Sequence, residues 1–227
     1  MFNLRAPPDF RGLDPSGRVR IYRRHLPHWR QEGVTYFATF RLADSLPQDK
    51  LRELKAIRER WRLQHGDEPT PQEWERLLHV LMVRVEMWLD QGTGSCLLQD
   101  SDARHAVAQA LHFFDGQRYE LGSYVIMPNH VHVLVRPFSD SEYPLEAILY
   151  SWKRYTANHL PWASTMTRSF WQDESFDRIV RDEEHLFRCL QYIGSNPLRA
   201  GLNTAECTCW TRPDWETLGW KFIDNAQ

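Results

Sequence analysis

The sequence has no apolar run that approaches a membrane-spanning helix, which needs about 20 residues. Its first residues, Met1–Pro8, carry no apolar signal region. Cysteine is scarce, with four in 227 residues, and Cys207 and Cys209 lack a second pair at zinc-finger spacing. These absences argue against a membrane partner, a secretory route and a structural zinc site. We therefore expect a reducing cytoplasm as the location.

A strong net charge is also absent, since 28 Lys and Arg face 30 Asp and Glu, giving a formal charge of -2. The global charge therefore does not indicate a nucleic-acid partner, but binding needs only a local patch. Such a patch exists at residues 1–30, where seven arginines face two aspartates, an excess of five positive charges.

Internal repeats, low-complexity segments and Pro/Gly/Ser-rich linkers are absent as well. The chain is therefore interpreted as a single domain over residues 1–227. It carries a basic N-terminal arm (1–30), a helical insertion (about 48–99) and a C-terminal tail (203–227).

Hydrophobic periodicity predicts the elements between the arm and the tail. In chain order these are a strand at Val34–Leu42, a helix from Pro47 to His65, a helix from Pro71 towards Gly92, a helix from Asp100 to Phe114, a strand at Arg118–Met127, a strand from His130, a helix at Leu145–Leu160, a strand or extended segment at Phe170–Val180, and a helix capped by Asp182. We expect Pro197 to end that last helix, because the residue before a proline leaves helical geometry. Without the insertion, the first six elements form a ferredoxin-like βαββαβ core of the α+β class with an antiparallel sheet.

His130 and His132 lie two residues apart on the strand after the Pro128-Asn129 turn, so they share one face. Two imidazoles on one stiff strand are half of a metal site, although either could be a hydrogen-bonded core residue. A third ligand and a nucleophile would favour the metal site.

Two helical tyrosines could supply what is missing. Tyr155 shares a helix face with His159, and Tyr192 shares one with Asn196, because residues four apart lie about 40° from each other around a helix. His159 could complete a set of three ligands, and so could the oxygen of Asn196. The residues alone leave these two candidates open.

Longer motifs surround these residues. They are Ile126-Met-Pro-Asn-His-Val-His-Val-Leu-Val135, Trp171-Gln with Phe176-Asp-Arg-Ile-Val-Arg-Asp182, and Tyr192-Ile-Gly-Ser-Asn-Pro-Leu-Arg-Ala-Gly-Leu202. In these motifs the chain resembles the REP-associated tyrosine transposases, which are cellular relatives of the single-tyrosine HUH transposases of insertion sequences. Leu26-Pro-His-Trp29 and Tyr36-Phe-Ala-Thr-Phe-Arg41 look like the opening of that family, so the resemblance spans roughly residues 20–202.

The resemblance implies that His130, His132 and Asn196 hold a divalent metal, Mg or Mn, and that Tyr192 on an extra C-terminal catalytic helix is the nucleophile. Insertion-sequence relatives have Gln in place of Asn196, so the shorter Asn requires a closer helix. Imidazole alone would suit Zn, Mn or Fe better than Mg.

The implied function is metal-dependent cleavage and rejoining of single-stranded DNA at repetitive extragenic palindromic hairpins, through a 5′-phosphotyrosine, by a nucleoid-associated monomer or homodimer. Candidate contacts to the DNA backbone are Arg18, Arg20, Arg23, Arg24, Lys153, Arg154, Arg178 and Arg181. The alternatives are a catalytically vestigial protein that binds DNA or RNA hairpins and a zinc hydrolase. The hydrolase would need a carboxylate base near the metal, and the sequence nominates none.

Overall fold

The structure is a computed structural model that describes residues 3–23, 26–66, 69–160 and 169–223. Its strands are β1 (Arg20–Arg23), β2 (Pro27–Arg30), β3 (Tyr36–Arg41), β4 (Tyr119–Ile126), β5 (His130–Pro137), β6 (Phe176–Ile179) and β7 (Thr208–Thr211). Its helices are α1 (Gln48–His65), α2 (Pro71–Leu89), α3 (Ser101–Phe113), α4 (Leu145–His159), α5 (Glu183–Arg199) and α6 (Pro213–Thr217).

The main sheet confirms the predicted fold class. Its five strands are antiparallel in the order β6-β3-β5-β4-β7. β7 is an added edge strand. When β3, β4, β5 and β6 are counted as strands 1 to 4, their order in the sheet is 4-1-3-2, which is the order of a ferredoxin-like βαββαβ unit. The helical connection between β3 and β4 is enlarged as predicted, since α1 and α2 precede the crossover helix α3.

Alternation along the strands gives the sheet two different faces. One face packs on α3 and α4 through residues such as Val131, Val133 and Trp152. The other face packs on α5 through Phe37, Leu134 and their neighbours. Because side chains alternate along a strand, the even-numbered residues of β5 face α5.

The α1–α2 hairpin covers the α5 side of the sheet near β6. Thr70 and Glu73 form a capping box that starts α2. Leu81 and Val85 of α2 are each 1% exposed and belong to clusters that also contact Phe176 of β6. The insertion is therefore packed against the core.

The N-terminal segment also packs on the core over its described residues. β1 and β2 pair as a small antiparallel sheet. Phe10 and Leu26 are buried, and Trp29 is partly buried against two apolar clusters. In the C-terminal tail Trp215 and Trp220 are 2% and 0% exposed, as expected for core residues.

The prediction that Pro197 ends the last helix is wrong, because α5 continues to Arg199 with Pro197 inside it. A proline removes its own N–H hydrogen bond and crowds the preceding turn, which weakens or kinks a helix without necessarily ending it. The Leu202 N–H donates to the Pro197 carbonyl at 2.9 Å, which caps the continued turn. Within the described residues, no helix is both long and apolar enough to cross a membrane.

Candidate metal and nucleophile site

A tight corner between β4 and β5 places both histidines inside the protein. The Met127 N–H donates to the His130 carbonyl at 2.9 Å and closes the corner. His130 and His132 then face α5, opposite to Val131 and Val133. Their side chains are almost fully buried, at 1% and 0% exposure.

Asn129 determines the tautomer of His130. Its Nδ2 group donates to the carbonyl oxygens of Leu89 and Thr93, both at 3.2 Å. Its Oδ1 atom lies 2.7 Å from His130 Nδ1 and can only accept a hydrogen bond. The proton of neutral His130 is therefore on Nδ1, and the Nε2 lone pair points into the site.

His132 is oriented in the same way from two elements. Its Nδ1 atom lies 2.8 Å from Oγ1 of Thr39, its cross-strand neighbour on β3. Asn196 Nδ2 of α5 lies 3.4 Å from His132 Nε2 and donates to its lone pair. His132 Nδ1 then carries the ring proton and donates to Thr39.

The geometry fits a metal ion. The Nε2 atoms of His130 and His132 are 3.0 Å apart, and with the ring protons on both Nδ1 atoms neither Nε2 atom can donate to the other. A separation of this size would let both nitrogens bind one ion at metal–nitrogen distances of about 2.1 Å. Asn196 Oδ1 is buried without a hydrogen-bond partner, and a half-turn of the amide would direct it to the same point.

The ligand set requires the asparagine. Nowhere in the described ranges do three or more His, Cys, Asp or Glu residues form a cluster that could hold a metal ion. An ion at this position would therefore have two imidazoles, one amide oxygen and open positions. Such a set suits a weakly held, exchangeable divalent ion.

Both histidines are kept in the neutral form that binds metals. Burial lowers the pKa of His130 to about 3, against a smaller raising effect of the Asn196 amide. Burial also holds the pKa of His132 well below its ordinary value, and the nearby His130, Arg178 and Arg199 lower it further. No proton has to leave these rings before an ion binds.

Tyr192 lies one helical turn before Asn196 and contacts the same histidine. Its ring centroid is 5.1 Å from that of His132 and 5.9 Å from that of Phe37, with edge-on geometry in both cases. Its hydroxyl is buried and makes no hydrogen bond of good geometry. Four residues proposed from the sequence, His130, His132, Tyr192 and Asn196, are thus brought together by β5 and α5.

Charged residues of α5 and of the C-terminal part of α2, with Asp90 directly after it, lie near Tyr192. The Arg199 guanidinium lies 5.0 Å from the Tyr192 ring centroid and donates to Asp90 at 2.9 Å. Burial raises the pKa of Tyr192, and the Glu86 carboxylate raises it further, while Arg199 opposes the shift. Burial also raises the pKa of Glu86 against the opposing charge of Arg178. A protonated phenol therefore faces a carboxylate of increased basicity.

Tyr155 and His159 lie on the other face of the sheet. Tyr155 of α4 packs against the cluster shared with α3. Its ring stacks on His159 with centroids 3.9 Å apart, and His159 Nδ1 hydrogen-bonds the Tyr155 carbonyl at 2.8 Å. The sheet separates this pair from His130 and His132, so they do not form one site.

The candidate DNA contacts are spread over several surfaces. Arg18 and Arg20 are exposed, Arg154 is exposed on α4, and Arg181 is exposed with an ion pair to Glu75 at 3.2 Å. Lys153 donates to the backbone carbonyls of Gln172 and Asp173 at 2.7 and 3.0 Å. Arg24 and the side chain of Arg23 lie outside the described residues.

Arg178 is the candidate contact that lies at the histidine face. Its guanidinium carbon lies 5.0 Å from the Phe37 ring centroid, and its Nε atom is buried without a hydrogen-bond partner. Its charge contributes to the lowered pKa of His132. This arginine is therefore positioned to meet an anion at the site.

Thr39, Asn129 and Glu86 were not identified as functional from the sequence. Asn129 was assigned only to the turn, although its place in the Met-Pro-Asn-His motif was a usable signal. Thr39 becomes relevant only through the β3–β5 register. Glu86 follows a buried residue in an amphipathic helix, and no local pattern separates it from a surface carboxylate.

No family model and no curated protein matches the sequence. Among solved structures, a REP-associated tyrosine transposase bound to a REP hairpin is similar at a TM-score of 0.42 and 16% sequence identity. The match covers 81% of this chain and 75% of that chain. The order and packing of the strands define the fold without this match.

Proposed function

We propose that this chain is a metal-dependent single-stranded DNA endonuclease and strand transferase that uses Tyr192 as its nucleophile and acts at palindromic DNA hairpins. The proposal is carried by one observation. α5 places Tyr192 and Asn196 against His132, whose Nε2 atom lies 3.0 Å from that of His130. All four side chains belong to one chain, which supports action by a monomer.

His130, His132 and Asn196 would hold the divalent ion, which we propose to be Mg or Mn. Bound there, the ion would neutralise charge on the scissile phosphate. The chain's own contribution is orientation, because Asn129 and Thr39 fix which nitrogen of each imidazole points inward.

Glu86 provides the proton acceptor that the sequence did not reveal. The Tyr192 phenol is protonated near neutral pH, so attack requires removal of its proton. As the phenolic oxygen forms its bond to phosphorus, the proton passes to Glu86 and the bond from phosphorus to the 3′-oxygen breaks. The released 3′-oxygen takes a proton from water, leaving a 5′-phosphotyrosine and a 3′-hydroxyl.

The substrate follows from the position of the nucleophile. Tyr192 and the histidines lie between the sheet, α5 and the end of α2, and the Tyr192 hydroxyl is buried. An unpaired strand reaches such a site in line more easily than a duplex does. Arg178 beside the site and the basic residues of the N-terminal segment would contact the DNA backbone.

A second candidate is a hairpin-binding protein without catalysis. It is favoured by the Asn196 amide, whose nitrogen and not its oxygen lies at 3.4 Å from His132 Nε2. An amide N–H directed at His132 Nε2 is the arrangement expected for two histidines that are hydrogen-bonded in the protein core without a metal ion. The two candidates differ in whether added metal ions bind at the pair.

The experiment is a denaturing gel of protein incubated with a labelled hairpin oligonucleotide that carries single-stranded flanks, plus Mn²⁺ or Mg²⁺. We expect a covalent protein–DNA adduct that requires the metal ion and is lost in Tyr192→Phe.

Tyr155→Phe is the matched control, because it removes the same hydroxyl from the opposite face and should leave the adduct unchanged. Binding of the hairpin without any adduct would favour the second candidate. An adduct that survives in Tyr192→Phe would contradict the proposed nucleophile.

A further inference from the structure

Arg41 is a buried arginine with no acidic partner among the described residues. Its side chain is 7% exposed, and its Nη1 group donates to the Leu42 carbonyl at 3.3 Å and to Ser45 Oγ at 3.0 Å. Both acceptors are uncharged. Burial lowers the pKa of Arg41 to about 10, and no neighbouring carboxylate opposes that shift. Buried charges in proteins are normally paired, so this arrangement lacks an anion.

Arg41 faces a cleft of about 300 Å³ between the α1–α2 hairpin and the sheet. Lys55 and Arg58 of α1 line the same cleft, and Gln172 adds an amide. Glu174 is the acidic residue of the lining.

Glu174 is engaged elsewhere. Its Oε1 atom accepts from the Leu26 N–H at 2.6 Å and lies 3.6 Å from His28 Nε2. Three cations and one carboxylate therefore line the cleft, which leaves it with an excess of positive charge, although Lys55 also lies 3.9 Å from Glu59 Oε1.

The strand register connects this cleft to the histidine site. Arg41 of β3 is paired with His130 of β5, and Thr39 is paired with His132. Directly opposite residues of antiparallel strands project on the same face, with Cα atoms about 5 Å apart. The cleft thus begins one strand away from His130, on the face that carries Tyr192.

We propose that Arg41, together with Lys55 and Arg58 at the outer part of this cleft, binds the backbone phosphate next to the one attacked by Tyr192. This subsite rests on the proposed function, because it takes the single-stranded DNA as its ligand. Arg41 presents a planar array of donors that suits phosphate oxygens. Holding the adjacent phosphate fixes the strand, so that the scissile phosphate stays in line with the nucleophile.

The first test measures binding of a single-stranded oligonucleotide by fluorescence anisotropy, in a Tyr192→Phe background that cannot cleave. Arg41→Gln should weaken binding about tenfold and reduce the slope of log affinity against log salt by roughly 0.7, the value for one phosphate contact. Lys55→Gln should cause a smaller loss of about threefold. Arg60→Gln is the control, since Arg60 is exposed on the same helix and does not line the cleft.

Folding of Arg41→Gln is checked by thermal denaturation. We expect an equal or higher melting temperature, because the variant no longer buries an unpaired charge. Equal affinity of Arg41→Gln, Lys55→Gln and the parent protein for the oligonucleotide would overturn the proposal.

A second test separates this subsite from the proposed chemistry. Inorganic phosphate, at constant ionic strength against chloride, should raise the melting temperature of the Tyr192→Phe protein and have no such effect on Arg41→Gln. Stabilisation by phosphate without any DNA adduct in the unmodified protein would support the anion site and contradict the nuclease. A normal adduct in Arg41→Gln, together with no stabilisation of the Tyr192→Phe protein by phosphate, would support the nuclease and contradict the subsite.

Discussion

Hydrogen bonds around the two imidazoles determine what the site can bind. Asn129 fixes the Nδ1 proton of His130, and Thr39 with Asn196 fixes that of His132. The Nε2 atoms of the two rings then face each other at a distance of 3.0 Å. The residues that hydrogen-bond to the two Nδ1 atoms are therefore as important to the site as the metal ligands themselves.

Asn129→Ala should weaken Mn²⁺ binding by about 10- to 100-fold, since it removes the acceptor that orients His130. The measurement is titration of Mn²⁺ by electron paramagnetic resonance. Asn158→Ala is the control, because Asn158 is exposed on α4. Unchanged Mn²⁺ affinity in Asn129→Ala would show that metal binding does not depend on the orientation of His130 by Asn129.

Glu86→Gln should slow adduct formation and at the same time stabilise the fold. Because burial raises the pKa of Glu86, the folded protein takes up a proton more readily than the unfolded chain does. The charged Glu86 carboxylate thus destabilises the folded state near neutral pH. This destabilisation disappears as the pH falls below the ordinary pKa of a glutamate. Gln mimics the protonated form.

The measurements are adduct yield and melting temperature between about pH 4 and pH 8. We expect the variant to melt higher at the upper end and equally at the lower end. Glu59→Gln on exposed α1 should change neither quantity. A lower melting temperature with unchanged adduct yield would assign Glu86 a purely structural role.

Two helices supply residues to the site, α5 with Tyr192 and Asn196 and α2 with Glu86. α5 could be assigned from the sequence only through the longer motif around Tyr192 and Asn196, because Tyr155 and His159 share the same four-residue spacing on another helix. The contribution of α2 could not, since Glu86 and Asp90 meet Tyr192 only through the packing of the insertion. Long-range packing of this kind leaves no local pattern in the sequence.

The N-terminal hairpin is attached to the sheet through a buried ion network. His28 Nδ1 lies 2.6 Å from Asp177 of β6, and Arg30 donates to the same carboxylate. Burial alone would lower the pKa of His28, but hydrogen bonds to Asp177 and Glu174 outweigh it and raise the pKa to about 9. The charged imidazole thus connects β2 to β6.

His28 should contribute stability that depends on pH. Its pKa is raised above the ordinary value, so its contribution is complete below about pH 6.5 and is lost as the pH rises through about 9. The difference in unfolding free energy between the parent protein and His28→Gln should therefore shrink over that window, by about 3 kcal/mol at most. Urea denaturation measures it, with exposed His79→Gln as control. A difference that stays constant with pH would contradict the charged state.

For the molecule as a whole, the sheet was the most predictable part. The β-branched and aromatic residues of Val34–Leu42 and the alternation from His130 onwards were strong enough to give these strands, and the order of elements along the chain gave the ferredoxin-like class. The edge strand β7 was not predicted, because Thr208–Thr211 is short and only half-buried. The positive cleft at Arg41 depends on residues from β3, α1 and β6, so it exists only in the folded chain.

Charge is distributed unevenly over the molecule. The formal charge is -2, yet residues 1–30 carry an excess of five positive charges. We therefore expect hairpin binding to weaken at least tenfold between about 50 and 200 mM salt, because each phosphate contact releases a counterion. Anisotropy titrations at several salt concentrations test this, with a net-neutral polymer as control. Flat affinity would remove the electrostatic part of the proposal.

The proposed covalent bond between Tyr192 and DNA can be mapped directly. Protein incubated with the hairpin oligonucleotide and Mn²⁺ is digested with protease and nuclease, and the peptides are analysed by mass spectrometry. We expect a nucleotide attached to the peptide that contains Tyr192, through a 5′-phosphate. A nucleotide attached to the Tyr155 peptide, or cleavage without any attached nucleotide, would contradict the proposed nucleophile.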